Sequence, residues 1–372
     1  HQDIGKYTKS YGSKILLHYE SDGDLIKKLG IYNTIINSLN ENHIEYIELG
    51  GVVPNPRLSL VKKGIEICKD EKIDFILAIG GGSVIDSAKA ISLGAKYDGD
   101  VWDFFTGKGE AKSSLGVGVV LTIPGSGSEM SESSIISYEE LKMKCVCDTE
   151  ENFPAFSMLD PQVCYTIPKK LMACGVADIM SHIMERYFSK AKDTQLNDAL
   201  LEAAMRTVVE FGPKIIEDPK NYNNCAQIMW SSTIAHNGMI AAGKIADWAS
   251  HRIEHEISAI YDITHGAGMA IIFPAWLKYV KDKNNIEFLS KFAKNVFSIE
   301  ENKDKDLMAI KGIEKLEEFF NNLGLDTHLE KFNINDEDFE VMAKKALGNS
   351  ETLGRFKELN KDDIINILKI SK

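Results

Sequence analysis

Five side chains suited to a divalent metal and to proton chemistry stand at telling intervals in this sequence: Asp178, His182, His251, His255 and His265. Asp178 and His182 are four residues apart in Ala177-Asp178-Ile179-Met180-Ser181-His182, a spacing that puts both on one face of a helix. His251 and His255 repeat that spacing, and His265 follows in Thr264-His265-Gly266. Each pair alone could be a helix-face ion pair or a hydrogen-bonded core group; two pairs and a further histidine together point to a site. One carboxylate with several imidazoles and no thiolate suits iron(II) or zinc(II). The stretch His251-Arg252-Ile253-Glu254-His255 shares only its outer histidines with a zinc-protease helix, because Arg252 stands where the protease base would be.

A second kind of chemistry is written in glycines. The apolar run over 75–79 leads into Gly80-Gly81-Gly82-Ser83 and then into a helical pattern, so backbone N–H groups at the helix start would face an anion such as a pyrophosphate. The same pattern also serves as a plain strand-to-helix turn. Its spacing is neither the ordinary dinucleotide fingerprint nor a nucleoside triphosphate loop. Thr122-Ile123-Pro124-Gly125-Ser126-Gly127-Ser128-Glu129 is another small-residue loop after an apolar strand, and two such loops at neighbouring strand ends would line one crevice. Glu20, in the acidic stretch 18–24, follows the first strand; it is either a ribose-binding carboxylate that repels a 2'-phosphate or part of an exposed turn.

The elements that must position these groups fall into two sets. Strands over 14–19, 44–49, 75–79, 117–123 and 156–159 alternate with helices over 31–40 and 58–71, the signature of βαβ units and a parallel sheet. Helical spacing then takes over across 171–189, 193–211, 222–237, 248–261, 267–280, 286–297, 304–323 and 336–347. The expected organisation is an α/β chain with an N-terminal domain at 1–167 and an all-helical domain at 168–372, hinged at Thr166-Ile167-Pro168. A doubly wound sheet normally uses a strand earlier than His1 permits, so the first strands are expected upstream of it.

Composition narrows the function classes. The 372 residues carry a formal net charge of -12, which excludes a broad nucleic-acid surface. The most apolar runs, 75–79 and 268–273, are too short to span a bilayer, and six scattered cysteines without CxxC pairs fit a reduced, cytoplasmic protein. Cys145 and Cys147 alternate as strand residues do. Phe153, Trp248 and Ile253 either shape a pocket or belong to the core.

In Pro54-Asn55-Pro56, the loop and helix start over 80–89, Tyr97-Asp98-Gly99-Asp100, Gly127-Ser128-Glu129-Met130, Leu159-Asp160-Pro161, the Asp178/His182 helix and the stretch 251–266, the chain resembles the iron-containing (group III) alcohol dehydrogenases, in their butanol dehydrogenase-like branch. The resemblance covers essentially the whole chain. It implies a dehydroquinate synthase-like architecture: a parallel-sheet dinucleotide-binding domain, a helical metal domain, and catalysis in the cleft between them. It implies Asp178, His182, His251 and His265 as metal ligands, iron(II) before zinc(II), and His255 as an unliganded catalytic histidine near the nicotinamide. Gly81, Gly82 and Ser83 are implied as pyrophosphate contacts, with Asp86 in the same fingerprint and Thr122, Ser126 and Lys144 as further cofactor contacts. Glu20 to Asp24 stand where many such sequences have a glycine-rich turn, which leans the cofactor toward NAD(H) over NADP(H). The implied reaction interconverts small primary alcohols and aldehydes, in a homodimer. A dehydroquinate synthase-like lyase or cyclase is the competing reading, but it would want more Lys and Arg than Arg186, Lys244 and Arg252 near the ligands. A sensor would want an added signalling segment.

Overall fold

The computed structural model describes residues 1–28 and 30–372, and the chain divides into two compact units, His1–Ile167 and Pro168–Lys372. The first runs α1 (Ile4–Lys9), β1 (Lys14–Glu20), α2 (Asp24–Lys28), α3 (Ile31–Glu41), β2 (Glu45–Val52), α4 (Leu58–Asp70), β3 (Phe75–Gly80), α5 (Gly82–Ala95), α6 (Trp102–Phe105), β4 (Val117–Leu121), β5 (Ser133–Tyr138), β6 (Met143–Asp148) and β7 (Phe156–Leu159). A parallel sheet has the order β2-β1-β3-β4-β7, while β5 and β6 form a separate antiparallel pair. β3 and β4 are buried along their whole length, as expected of apolar, β-branched strands covered on both faces. The edge strand β2 instead mixes exposed Glu45 and Glu48 with buried Leu49 and Val52.

From β1 the chain steps outward to β2 and then returns across β1 to β3, so the sheet changes winding direction between β1 and β3. In open α/β sheets that switch point is where a crevice opens at the carboxyl ends of the strands. Tyr19 pairs with Ile79, so Glu20 and Gly80 end their strands side by side. His18 fastens this region: its Nδ1 lies 2.7 Å from the Leu49 carbonyl and its Nε2 2.9 Å from Ser87 Oγ, tying β1 to β2 and α5. Complete burial pulls its pKa down to about 4, which keeps the ring neutral.

The second unit is helical: α7 (Lys169–Tyr187), α8 (Gln195–Glu217), α9 (Tyr222–His236), α10 (Ala249–Tyr261), α11 (His265–Val280), α12 (Ile286–Phe297), α13 (Lys305–Asn322), α14 (Phe339–Leu347) and α15 (Lys361–Ile370). α7 and α11 are buried over most of their length, and an aromatic core gathers beside them, with Trp276 5.8 Å from both Phe188 and Phe356 between ring centroids. Two helices of this unit depart from the sequence reading. α8 runs through Pro213 to Glu217 instead of stopping at 211, where buried Gly212 packs close to Val176 and Phe319. α15 lies beyond the last expected helix and is started by a capping box between Asn360 and Asp363. Among the described residues no helix is long and apolar enough to cross a membrane.

Candidate active site

The helical unit gathers the metal-type side chains from three elements. α7 carries Asp178 and His182, α10 carries His251 and His255, and α11 begins at His265. Asp178 Oδ1 lies 3.6 Å from His182 Nδ1 and 3.6 Å from His265 Nε2. Asp178, His251 and His265 each offer a donor atom within 4.8 Å of the others. The His182 and His251 rings stack at 4.8 Å, and His251 and His265 are 5.2 Å apart between centroids. His255 sits to the side, with its ring 5.4 Å from that of His265, and groups with His265 and Glu254 rather than with Asp178.

His182 Nδ1, His251 Nε2 and His265 Nε2 are buried nitrogens with no hydrogen-bond partner. A buried nitrogen left unpaired costs free energy unless something electrophilic takes its lone pair. Burial, with His236, His251 and Arg186 nearby, holds His182 well below the usual histidine pKa, so its ring is neutral and its lone pair available. One carboxylate and three such nitrogens, without a thiolate, fit a divalent iron or zinc ion.

Sequence reasoning missed the groups behind these side chains. Glu185, fully buried on α7, accepts from His251 Nδ1 at 2.8 Å, from the His251 backbone N–H at 3.2 Å and from the Trp248 N–H at 2.6 Å. Glu254, fully buried on α10, accepts from His265 Nδ1 and from Ser258 Oγ. His236, at the end of α9, has its ring 4.4 Å from that of His182. The signal for the two glutamates was in the sequence: each stands three residues after a histidine of the cluster on the same helix. His236 had no such spacing to mark it.

The sheet unit builds its site mainly from backbone. Gly81 caps α5 with no side-chain cap bond, and the first turn carries no acid, which leaves an N-terminus open to an anion. A methyl on Gly82 would run into Ser126, and one on Gly81 would come within 3.1 Å of Ile123 Cβ, so the two small-residue loops abut. Thr122, at the end of β4, donates its N–H to the Gly80 carbonyl at 3.0 Å, while its buried Oγ1 has no partner. Ser83 stands in the first turn of α5, and Glu20 ends the neighbouring strand with a buried, unpartnered Oε1; burial raises its pKa.

Asp86 and Lys144 take a different position. Asp86 turns both oxygens toward the protein, accepting from Ser128 Oγ at 2.6 Å and from the Ile135 N–H at 3.1 Å. Burial pushes its pKa up to about 6 against the pull of Lys89 and Lys144. Fully buried Lys89, one turn on, donates to Ser128 O and Oγ and to the carbonyls of Ser131 and Ser133 at 2.7–2.9 Å. Asp86 and Lys89 thus fasten the second loop and the β5–β6 hairpin onto α5. Lys144 sits on that hairpin, opposite Ser137.

With both arrangements described, likeness to known proteins becomes informative. Residues 1–161 match the family model of iron-containing alcohol dehydrogenases, and 172–371 match the C-terminal model of the Fe-containing alcohol dehydrogenase family. This chain belongs to that family. It is 45% identical over 364 residues to "Probable NADH-dependent butanol dehydrogenase 1" of Bacillus subtilis (strain 168), covering 98% of this chain and 93% of the relative. It is 41% identical to NADH-dependent butanol dehydrogenase A of Clostridium acetobutylicum, covering 99% and 94%. The crystal structure of an NADH-dependent butanol dehydrogenase A from Thermotoga maritima superposes with a TM-score of 0.94 at 37% identity, over 100% of this chain and 94% of that one. Membership makes the chain an NAD(P)-dependent alcohol dehydrogenase, and the lyase or cyclase reading falls away.

Proposed function

We propose that this protein interconverts small primary alcohols, of butanol size, and their aldehydes with NAD(H) as the hydride carrier, using a divalent ion held by Asp178, His182, His251 and His265. The observation that carries this reading is the convergence of three buried, unpartnered imidazole nitrogens on the Asp178 carboxylate. When bound, the ion supplies Lewis acidity toward an alcohol or carbonyl oxygen, and the nicotinamide supplies the hydride chemistry. Iron(II) is the expected ion, and the same donors accept zinc(II).

The remaining steps belong to the chain's own groups. His255, one helical turn from His251, takes up or returns the hydroxyl proton, a task suited to an imidazole near neutral pH. Gly81, Gly82 and Ser83 present N–H groups to the pyrophosphate, and Thr122, Ser126 and Lys144 complete that cradle, with Asp86 bracing it. Glu20 accepts from the ribose hydroxyls and disfavours a 2'-phosphate, in keeping with NADH-dependent relatives. The protein is further read as a cytoplasmic homodimer: its six cysteines are free thiols and β2 presents a sheet edge. Sedimentation at micromolar concentration tests the dimer.

The decisive experiment couples metal analysis to NADH and NADPH oxidation with a panel of aldehydes, before and after chelation. Loss of activity on chelation, restored by Fe²⁺ or Zn²⁺, is expected. Activity indifferent to metal removal overturns the proposal. For His255, the alanine variant should lose activity and change its pH profile; full activity across pH removes it from proton transfer.

A further inference from the structure

The ligand helices are cross-braced in sequence. α7 brings Asp178 and His182 to the cluster, and one turn further on it brings Glu185, whose carboxylate holds His251 of α10. α10 brings His251, and three residues further on Glu254, whose carboxylate holds His265 of α11. Each helix therefore delivers ligands of its own and the orienting group for a ligand on the next. In both cases the bond is made to Nδ1, and the nitrogen left buried without a partner is Nε2.

Resting on the metal-site reading above, we propose that Glu185 and Glu254 are positioning residues that fix His251 and His265 as Nδ1–H tautomers. Each then presents an Nε2 lone pair to the ion before any ion arrives. A carboxylate accepting from Nδ1–H selects that tautomer, fixes the ring plane and makes Nε2 more basic. Both carboxylates are fully buried, a costly placement for a charge that lacks several donors. Glu185 meets that requirement with three N–H groups, and one of these belongs to Trp248, the bulky N-cap residue of α10 at φ +64. The same carboxylate thus sets the entry angle of the helix and the ring it delivers. Glu254 is accommodated by Gly268: a methyl there would collide with its carboxylate, so the close approach of α11 to α10 depends on that glycine.

The test uses the metal-free full chain and Zn²⁺ alone. Two-dimensional ¹H–¹⁵N NMR of the histidine rings in the wild type should show His251 and His265 as Nδ1–H tautomers; Nε2–H tautomers at either overturn the proposal without any variant. Glu185→Gln and Glu254→Gln should each weaken Zn²⁺ about 10- to 100-fold in competition with a fluorescent chelator. Glu256→Gln is the control, since Glu256 is a buried carboxylate on α10 that pairs with Lys345 at 3.3 Å. It should change affinity by less than about threefold on the same scale. Folded Glu185→Gln and Glu254→Gln proteins that match the wild type in Zn²⁺ affinity also overturn it. If the wild type binds neither Zn²⁺ nor Fe²⁺, the metal reading fails instead, and the tautomer measurement still decides whether the braces exist.

Discussion

The sheet unit and the helical unit prepare for their ligands in opposite ways. At the carboxyl ends of β1, β3 and β4 the proposed receiving groups are mainly backbone: a helix start without a side-chain cap and two loops so close that a Cβ on Gly82 would run into Ser126. In the helical unit the proposed receiving groups are side chains, drawn from α7, α10 and α11, and two of their rings are held by buried carboxylates. A backbone site depends on what is missing, chiefly Cβ atoms, whereas a side-chain site depends on which atoms are present and how they are turned. The same distinction separates an anion, which many N–H groups can share, from a divalent ion, which needs a few donors in fixed directions.

That contrast is open to direct attack. The largest effect is expected from His251→Ala, which should lower kcat/KM for aldehyde reduction on the order of 10³-fold while leaving NADH binding by fluorescence unchanged; a parallel loss of NADH affinity would break the division of labour. On stability, acid should weaken the sheet unit through His18. Its folded pKa, depressed to about 4 from 6.5, means the unfolded chain binds more protons between those values, so stability is full above 6.5 and lost as pH falls through 4. The loss between neutrality and the acid end is about 3 kcal/mol. Hydrogen exchange of β1 amides should register it, with a shallower pH dependence in His18→Gln.

A smaller effect is expected at the loops. Gly82→Ala should raise KM for NADH about 10- to 100-fold, the equivalent of one or two lost backbone hydrogen bonds, with Zn²⁺ affinity at the wild-type value. Unchanged KM would show that the loop does not need the open space. The mildest change is Glu20→Gln, for which the NADPH to NADH ratio of kcat/KM should rise about tenfold. A ratio that stays put assigns cofactor choice to other residues.

The sequence made the strands and the ligand helices legible because their signals are local. Runs such as Phe-Ile-Leu-Ala-Ile, and the i,i+4 spacing of Asp178/His182 and His251/His255, need no knowledge of the rest of the chain. The reading faltered where a distant contact overrides a local cue. Gly212-Pro213 looks like a stop, yet α8 continues past it with Gly212 packed against other helices. Nor did local spacing show that Asp86 accepts from Ser128 and Ile135, 42 and 49 residues away.

By itself, then, the sequence determined the two classes of unit, the helix faces that carry Asp178, His182, His251 and His255, and the glycine turn ahead of α5, since helix period and glycine stereochemistry act over a few residues. Spacing alone left His251 and His255 equivalent, and the family resemblance told them apart; the tertiary structure groups His251 with Asp178 and His255 with Glu254 and His265. It alone chose Glu185, 66 residues from His251, as the brace for that ring. Periodicity says which face of a helix a residue occupies; what that face meets is settled only when the helices pack.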